Sequence, residues 1–289
     1  MASMRDIQRR RSSISSIGQI TKAMKLVSTV KLQKTKSRAE SAKPYFNMMY
    51  ETVTNILASS GQINHPFLKA GQSQDKCIIV VTSNRGLAGG YNSNVNKLVT
   101  GSGFAKEQVK LITVGKKGRE YLEKRGYQVE EDYSEVINNP MFTDAKEISD
   151  RVLEDFVSGK IGEIYIAYTS FKNTVVHEPK LMKLLPMEFS EEELNKKKEV
   201  SGPTAPMNYE PNEEEALDVI VPKYMASIVF GALTEAIASE NGARMQAMDS
   251  ATSNAEEMIE QLALQYNRAR QGSITQELTE IIAGANAIS

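Results

Sequence analysis

The stretch of this chain that most invites a chemical reading is a glycine-rich turn behind an apolar strand. Cys77-Ile78-Ile79-Val80-Val81-Thr82-Ser83 reads as the strand, and it runs into Asn84-Arg85-Gly86-Leu87-Ala88-Gly89-Gly90-Tyr91-Asn92. Backbone N–H groups in such a turn often cradle the phosphates of a dinucleotide. The spacing argues against that use. The glycines do not keep the dinucleotide pattern, and no lysine and hydroxyl follow as a P-loop requires. The position about 20 residues on, where an acid would hold a ribose, falls in Gly101 to Ala105. Gly115-Lys116-Lys117-Gly118 is an equally poor match.

The titratable groups do not assemble a reaction centre either. Two histidines, His65 and His177, stand far apart beside Pro66 and Glu178, with no cysteine or carboxylate cluster at metal-ligand spacing. They read as solvated loop residues. The single cysteine, Cys77, heads an apolar run, where burial as a small hydrophobe is expected rather than reactivity. Acidic runs such as Glu191 to Glu193 read as solvating, and no serine or cysteine nucleophile pairs with a histidine base. No catalytic residue, cofactor site or metal site is therefore expected.

The elements around this turn follow three grammars. From Met4 to about Ala58 the only glycine is Gly18 and the only proline Pro44, while Ile7, Ile14, Ile17, Ile20, Met24, Val27 and Val30 recur at helical spacing. Phe46, Met49, Val53, Ile56 and Leu57 extend the stripe, which predicts one rod of roughly 80 Å, with a possible bend at Pro44. A second rod is predicted over 211–289, with Pro222 near its first turn. Its stripe runs Ile228, Leu233, Ile237, Arg244, Ala247, Ala251, Ala255, Met258, Leu262, Tyr266 and Ala269, then Ile274, Leu278, Ile281 and Ala285. The mean repeat near 3.5 favours a supercoil, and the many alanines favour close approach with little area buried per residue. Between the rods, over 75–199, apolar strands at Cys77–Ser83, Lys110–Gly115 and Ile164–Phe171 alternate with helices at Gly115–Arg125 and Asp144–Phe156, the latter capped by Thr143 or Asp144. That alternation predicts a Rossmann-like α/β domain with a partly parallel sheet. Ser190–Glu215, charged and proline-bearing, reads as the linker back to the second rod.

Charge separates the rods although the 289-residue chain carries a net charge of only -1. Residues 1–43 hold eleven bases against Asp6 and Glu40, while residues 212–289 hold twelve acids against Lys223, Arg244, Arg268 and Arg270. Opposite signs favour an antiparallel hairpin of the two rods. The basic rod lacks an aromatic before Tyr45 to stack on bases, and the rest of the chain is acidic, so nucleic acid is not the expected partner. No run of about 18 apolar residues indicates a membrane span, and no leader of the secretory kind opens the chain. A coiled-coil scaffold holding client proteins and a nucleotide-binding enzyme built on the glycine turn are the competing readings.

Four blocks carry a family resemblance that covers the whole chain. Ile20-Thr21-Lys22-Ala23-Met24-Lys25-Leu26-Val27 resembles the first-helix signature of the F-type ATP synthase gamma-subunit family, bacterial type. Ser83 to Asn92 resembles its serine-aspartate-arginine-glycine-leucine loop, departing at Asn84 and at Ala88. Ser239-Glu240-Asn241-Gly242-Ala243-Arg244-Met245 and Ala247-Met248-Asp249 resemble the second-helix block, with Gly242 replacing the usual alanine at a propensity cost of about 1 kcal/mol. Tyr266 to Gln271 and Ile274 to Ala285 match the terminal signature.

The resemblance implies a central rotor shaft with no catalytic site of its own. The paired rods would turn inside a hexamer of alternating alpha and beta subunits, with the epsilon subunit and the membrane c-ring at the α/β domain. Proton flow would turn the ring and the shaft with it, biasing nucleotide-site conformations and so coupling the flow to ATP synthesis. It implies a peripheral protein on the cytoplasmic face of the cell membrane. Arg270, Gln271, Thr275 and Glu277 correspond to family positions that touch a stator loop, and Met24 and Lys25 to positions that slide past an acidic beta-subunit segment. Tyr209 and Glu210 are the candidate contacts to the c-ring and epsilon. A small apolar tip of Ala283, Gly284, Ala285, Ala287 and Ile288 would suit turning in a greasy sleeve.

Overall fold

The computed structural model describes residues 4–59, 65–69, 71, 73–187 and 212–288. The chain forms two compact units, one of Met1–Thr29 with Arg244–Ser289 and one of Val30–Ala243. Its elements run α1 (Met4–Ser59), β1 (Lys76–Val81), α2 (Tyr91–Thr100), β2 (Val109–Val114), α3 (Lys116–Glu123), β3 (Gln128–Asp132), α4 (Phe142–Val157), β4 (Glu163–Phe171), β5 (His177–Leu185) and α5 (Glu213–Ile288).

The larger unit is organised by a five-stranded sheet of order β3-β2-β1-β4-β5. The first four strands are parallel, and β5 closes antiparallel on β4. β1 is apolar at almost every position because both of its faces are covered, as a central parallel strand requires. Ile78 and Val80 join Val95 and Val99 of α2, Leu122 of α3 and Leu111 on one side. Cys77, Ile79 and Val81 join Ile148 and Val152 of α4, Val53 and Ile56 of α1, and the α5 stretch from Leu217 to Ile237 on the other. α5 contains a segment apolar enough by composition to cross a membrane, and 56% of that segment is buried inside the protein. It is a core segment here. Cys77 is buried as expected, and burial, with Asp155 nearby, pushes its thiol up to about 12.

Several expectations need correction. Asp144 is not the cap of α4: the helix begins at Phe142 with Met141 as N-cap, and Asp144, three residues in, accepts a 2.8 Å bond from the Met141 N–H. Pro222 lies inside α5, well past its first turn. β3 and β5 were not foreseen because they are the two edge strands of the sheet. With one ladder side unpaired and polar residues such as Glu130, Glu131, Glu178 and Lys180 along them, they lack the apolar run that marks an interior strand.

The histidines are not solvated loop residues. His65 is buried, and its Nδ1 accepts from the Phe67 N–H at 3.3 Å, capping a short 3-10 turn at Pro66–Leu68. That assigns the proton to Nε2, which lies 3.1 Å from Asp218 Oδ1. His177 opens β5 with its ring 5.9 Å from that of Phe171, and burial holds its imidazole below the ordinary value.

This packing explains Gly242. A Cβ there would stand 2.6 Å from His177 Cε1 and 3.0 Å from its Nε2, closer than side chains tolerate. The glycine that weakens the helix makes room for the histidine. Gly242→Ala alone should therefore lower the melting temperature despite its better helix propensity, whereas adding His177→Ala should recover about 1 kcal/mol. A double-mutant cycle by urea denaturation reads the coupling.

A second test concerns Glu163, which bridges three strands. Burial opposes its ionisation, but hydrogen bonds from Lys76, Lys183 and Tyr165 outweigh it and hold the carboxyl down at about 2. Lys183 Nζ lies 2.9 Å away and the Tyr165 hydroxyl 3.1 Å. A carboxyl depressed in the folded state stabilises above its ordinary value of 4.5 and loses that contribution as pH falls towards 2. Glu163→Gln should thus melt below the parent protein at pH 7, with the gap closing between pH 4.5 and 2.

Candidate partner-contact surface

In the smaller unit α1 and α5 face each other through small side chains. On α1 the covered positions are Ile7, Ile14, Gly18, Thr21, Lys25 and Ser28. On α5 they are Met248, Thr252, Ala255, Ile259, Leu262, Tyr266, Ala269 and Ser273. Apart from the seven-residue step from Ile7 to Ile14, both sets step by three and four, the 3.5 mean of a coiled-coil seam. The arms run antiparallel, since rising numbers on α1 meet falling numbers on α5. A Cβ on Gly18 would sit 3.5 Å from that of Ala255, Thr21 Oγ1 shares a 2.8 Å hydrogen bond with Thr252 Oγ1, and Lys25 Nζ lies 2.6 Å from Asp249 Oδ1. The ion pair is exposed at both ends and contributes at most about 1 kcal/mol. The seam, more than the charge split, sets the register.

A consequence reverses part of the expected stripe. Ile17 and Ile20 do not face α5; they are 52% and 59% exposed, and Leu26 and Val27 are exposed beside them. Met258 is exposed as well. Beyond Ser273 every described α5 side chain is exposed, including Ile274, Leu278, Ile281 and Ile282, so the continuation of the seam to Ala285 is not met by α1. Apolar residues at helical spacing were read as inward because burial is their usual fate. Between Gly18 and Ser28 glycine, threonine and serine hold the α1 side of the seam, and Ile17, Ile20, Leu26 and Val27 line the outside.

The candidate contact residues divide between the seam margin and the outside. Met24 and Lys25 are half-buried, with Lys25 committed to Asp249. Arg270, Gln271, Thr275 and Glu277 are exposed within two turns of α5. Thr275 Oγ1 donates to the Gln271 carbonyl at 2.9 Å, and Glu277 Oε1 accepts from Ser273 Oγ at 3.4 Å. At 1.5 Å per residue this group lies roughly 30 Å along α5 from Asp249, so the two groups are separate contact zones. Tyr209 and Glu210 lie outside the described residues. Sequence reasoning missed Ile17, Ile20, Leu26 and Val27 as surface residues. The legible signal was the second, 3.5-spaced series of small residues running between them.

In the larger unit the glycine turn spends its polar groups on itself. Asn92 Oδ1 accepts from the Ser83 N–H at 2.9 Å, Ser83 Oγ donates to the Arg85 carbonyl at 2.6 Å, and Asn84 bonds both the Ser134 carbonyl and the Lys116 N–H. Thr82 Oγ1 accepts from the Gly118 N–H at 2.9 Å, taking the α3 N-terminus that a phosphate would use. Gly115 adopts φ 127, and a Cβ on it would stand 2.2 Å from the Thr82 carbonyl oxygen. Its glycine answers close backbone packing rather than a ligand.

The ATP synthase family model matches residues 3–288. The chain is 64% identical to the ATP synthase gamma chain of Lachnoclostridium phytofermentans over 100% of both sequences. This chain belongs to the ATP synthase gamma-chain family. It is also 41% identical to the sodium ion specific gamma chain of Acetobacterium woodii, over 99% of each. Among solved structures, the central stalk and c-ring assembly of Tetrahymena thermophila mitochondrial ATP synthase contains a chain matched at 26% identity and TM-score 0.58, covering 80% of this chain and 99% of that one. A chain of the Euglena gracilis mitochondrial ATP synthase rotor shares the fold at TM-score 0.68, covering 94% and 98%, with 18% identity. In gamma-chain terms, the exposed aliphatics of the hairpin unit belong to a subunit of an ATP-synthesising complex.

The small-residue seam gives a stability test. Gly18→Ala places its methyl in ordinary contact with Ala255 and should raise stability by about 1 kcal/mol through helix propensity. Gly18→Leu should lower it by about 1–3 kcal/mol by forcing the arms apart. Urea melts of the full chain followed by circular dichroism distinguish the two.

Proposed function

We propose that this gamma chain is the central stalk of an F-type ATP synthase. Its hairpin unit turns within a hexamer of alternating alpha and beta subunits. The α/β unit meets the epsilon subunit and the membrane c-ring, and the assembly sits at the cytoplasmic face of the cell membrane. The observation that carries the reading is a seam whose small residues Gly18, Thr21 and Ala255 leave Ile17, Ile20 and Val27 facing out, with Ile281 exposed beyond its end. A two-helix spindle with aliphatics outside has a surface that slides: dispersion contacts are non-directional, so rotation replaces one set by another at little cost. Fixed polar bonds would make a ratchet.

In this reading the chain performs no bond chemistry. Work passes as torque, because each orientation of the asymmetric shaft favours a different conformation of each neighbouring beta subunit. Met24 and Lys25 slide past an acidic beta-subunit segment, and Arg270, Gln271, Thr275 and Glu277 meet a stator loop farther along. Tyr209 and Glu210 contact the c-ring. The coupling ion is selected by the c-ring. Two donors beside the glycine turn, the Ser83 N–H and the Gly118 N–H at the start of α3, already have protein partners, which supports the noncatalytic reading.

Coexpression with alpha and beta subunits should yield one copy of this chain per three alpha-beta pairs. A variable stoichiometry would instead favour a client-holding scaffold. In the assembled enzyme Met24→Lys should lower the ions pumped per ATP hydrolysed, by adding a charge that pairs with the acidic stator segment. Unchanged coupling would remove Met24 from the contact.

A further inference from the structure

The α/β unit contains a cavity of about 590 Å³ that the stalk function does not use. Its size is that of pockets for drug-sized organic molecules. Tyr45 of α1, Phe142 at the start of α4 and Phe230 of α5 form one wall. Their rings interlock edge-on, Tyr45 to Phe142 at 6.1 Å between centroids and Phe142 to Phe230 at 5.9 Å. The wall is fixed by contacts among its own members and lines the space with aromatic rings, whose faces carry negative quadrupole charge.

Two α5 residues one turn apart define the rest. A Cβ on Gly231 would meet nothing within 4 Å, so the cavity reaches to the helix backbone there. Glu235 lines the same space and sits four residues on, hence on the same helix face. Its Oε2 accepts from the Phe171 N–H at 3.3 Å, which leaves most of a carboxylate's acceptor capacity open. Ser227 adds a hydroxyl. Burial, and after it the Glu235 carboxylate, push the Tyr168 phenol at the cavity edge up to about 12, so it stays neutral at physiological pH.

Ring faces and a carboxylate attract the same sign of charge. A metal ion is a poor fit, because hard cations need about six oxygen ligands and these walls are mostly carbon. We propose that this cavity binds an amphipathic organic cation, an amine or quaternary ammonium with an aryl or branched apolar body, its charge held by Glu235 and its body by the Tyr45, Phe142 and Phe230 rings. The lining residues all belong to the sheet-bearing unit and the proposal would stand even if the stalk reading failed.

Three probes of one skeleton test it on the full chain: 4-phenylbutylammonium, 4-phenylbutan-1-ol and 4-phenylbutyrate, titrated by saturation-transfer NMR and calorimetry. The ammonium should bind about tenfold tighter than the alcohol, and the carboxylate should not bind. Glu235→Gln should bring the ammonium down to the alcohol's affinity. Gly231→Leu should fill the space and abolish binding of both while leaving the melting temperature equal or higher, since leucine outranks glycine in a helix. Equal affinity for all three probes in the parent protein, no ammonium binding at all, or binding that survives Gly231→Leu would each overturn the proposal.

Discussion

Close approach of two helices constrains what the rest of the hairpin unit can be. Gly18 opposite Ala255 and Thr21 opposite Thr252 bring the backbones near enough for side-chain oxygens to touch at 2.8 Å. The seam is that narrow at these small residues, Ile7 and Leu262 are covered elsewhere along it, and the remaining aliphatics of this stretch have no place inside. They go outside, where water makes their exposure costly at about 25 cal/mol per Å² until a partner covers them. A seam that buries little area gives the pair modest stability of its own. Both facts point the same way: the hairpin is completed by what surrounds it.

The α/β unit solves the opposite problem. Its sheet is covered on both faces, and one cover is made partly of α1 and α5 themselves, through Val53, Ile56 and the run from Leu217 to Ile237. Those helices are therefore amphipathic in one way within the sheet-bearing unit, where large aliphatics point inward, and in another within the hairpin unit, where small residues do. A single helix carrying two packing rules explains why its overall apolar periodicity is weak. Each half obeys its own partner.

That change of rule marks where the sequence was legible. Interior strands were found within two residues because β1, β2 and β4 are apolar runs with both faces buried. The edge strands were lost for the converse reason. The rods were found by the absence of breakers, and the α5 stripe turns inward at Ala255, Leu262, Tyr266 and Ala269 as expected, but on α1 the inward face differs at Ile17, Ile20 and Val27, because these outweigh Gly18, Thr21 and Ser28 on any scale that equates hydrophobicity with burial. The spacing of the glycine turn already argued against a phosphate cradle. The bonds that tie it to its surroundings, from the Ser83 N–H to Asn92 and from the Gly118 N–H to Thr82, were not legible there. Contact residues were legible only through family resemblance, since a surface that slides leaves no cluster of matched polar groups to detect.

His177 and Gly242 show why departures from a family pattern need their spatial partner before they are weighed. Alone in the sequence, a glycine for alanine in a long helix reads as a loss of stiffness. In the fold the two positions, distant in the chain, occupy one volume: the imidazole fills the place a methyl would take. Helix propensity and side-chain packing then act in opposition at a single site, and packing decides because a contact of 2.6 Å is steeply repulsive while a propensity difference is near 1 kcal/mol. The same logic holds at Gly115, where backbone approach to Thr82 fixes the residue, and is absent at Gly231, where open space lies beyond the Cα. Three glycines thus carry three physical meanings, and only the one with nothing in front of it leaves room for a ligand.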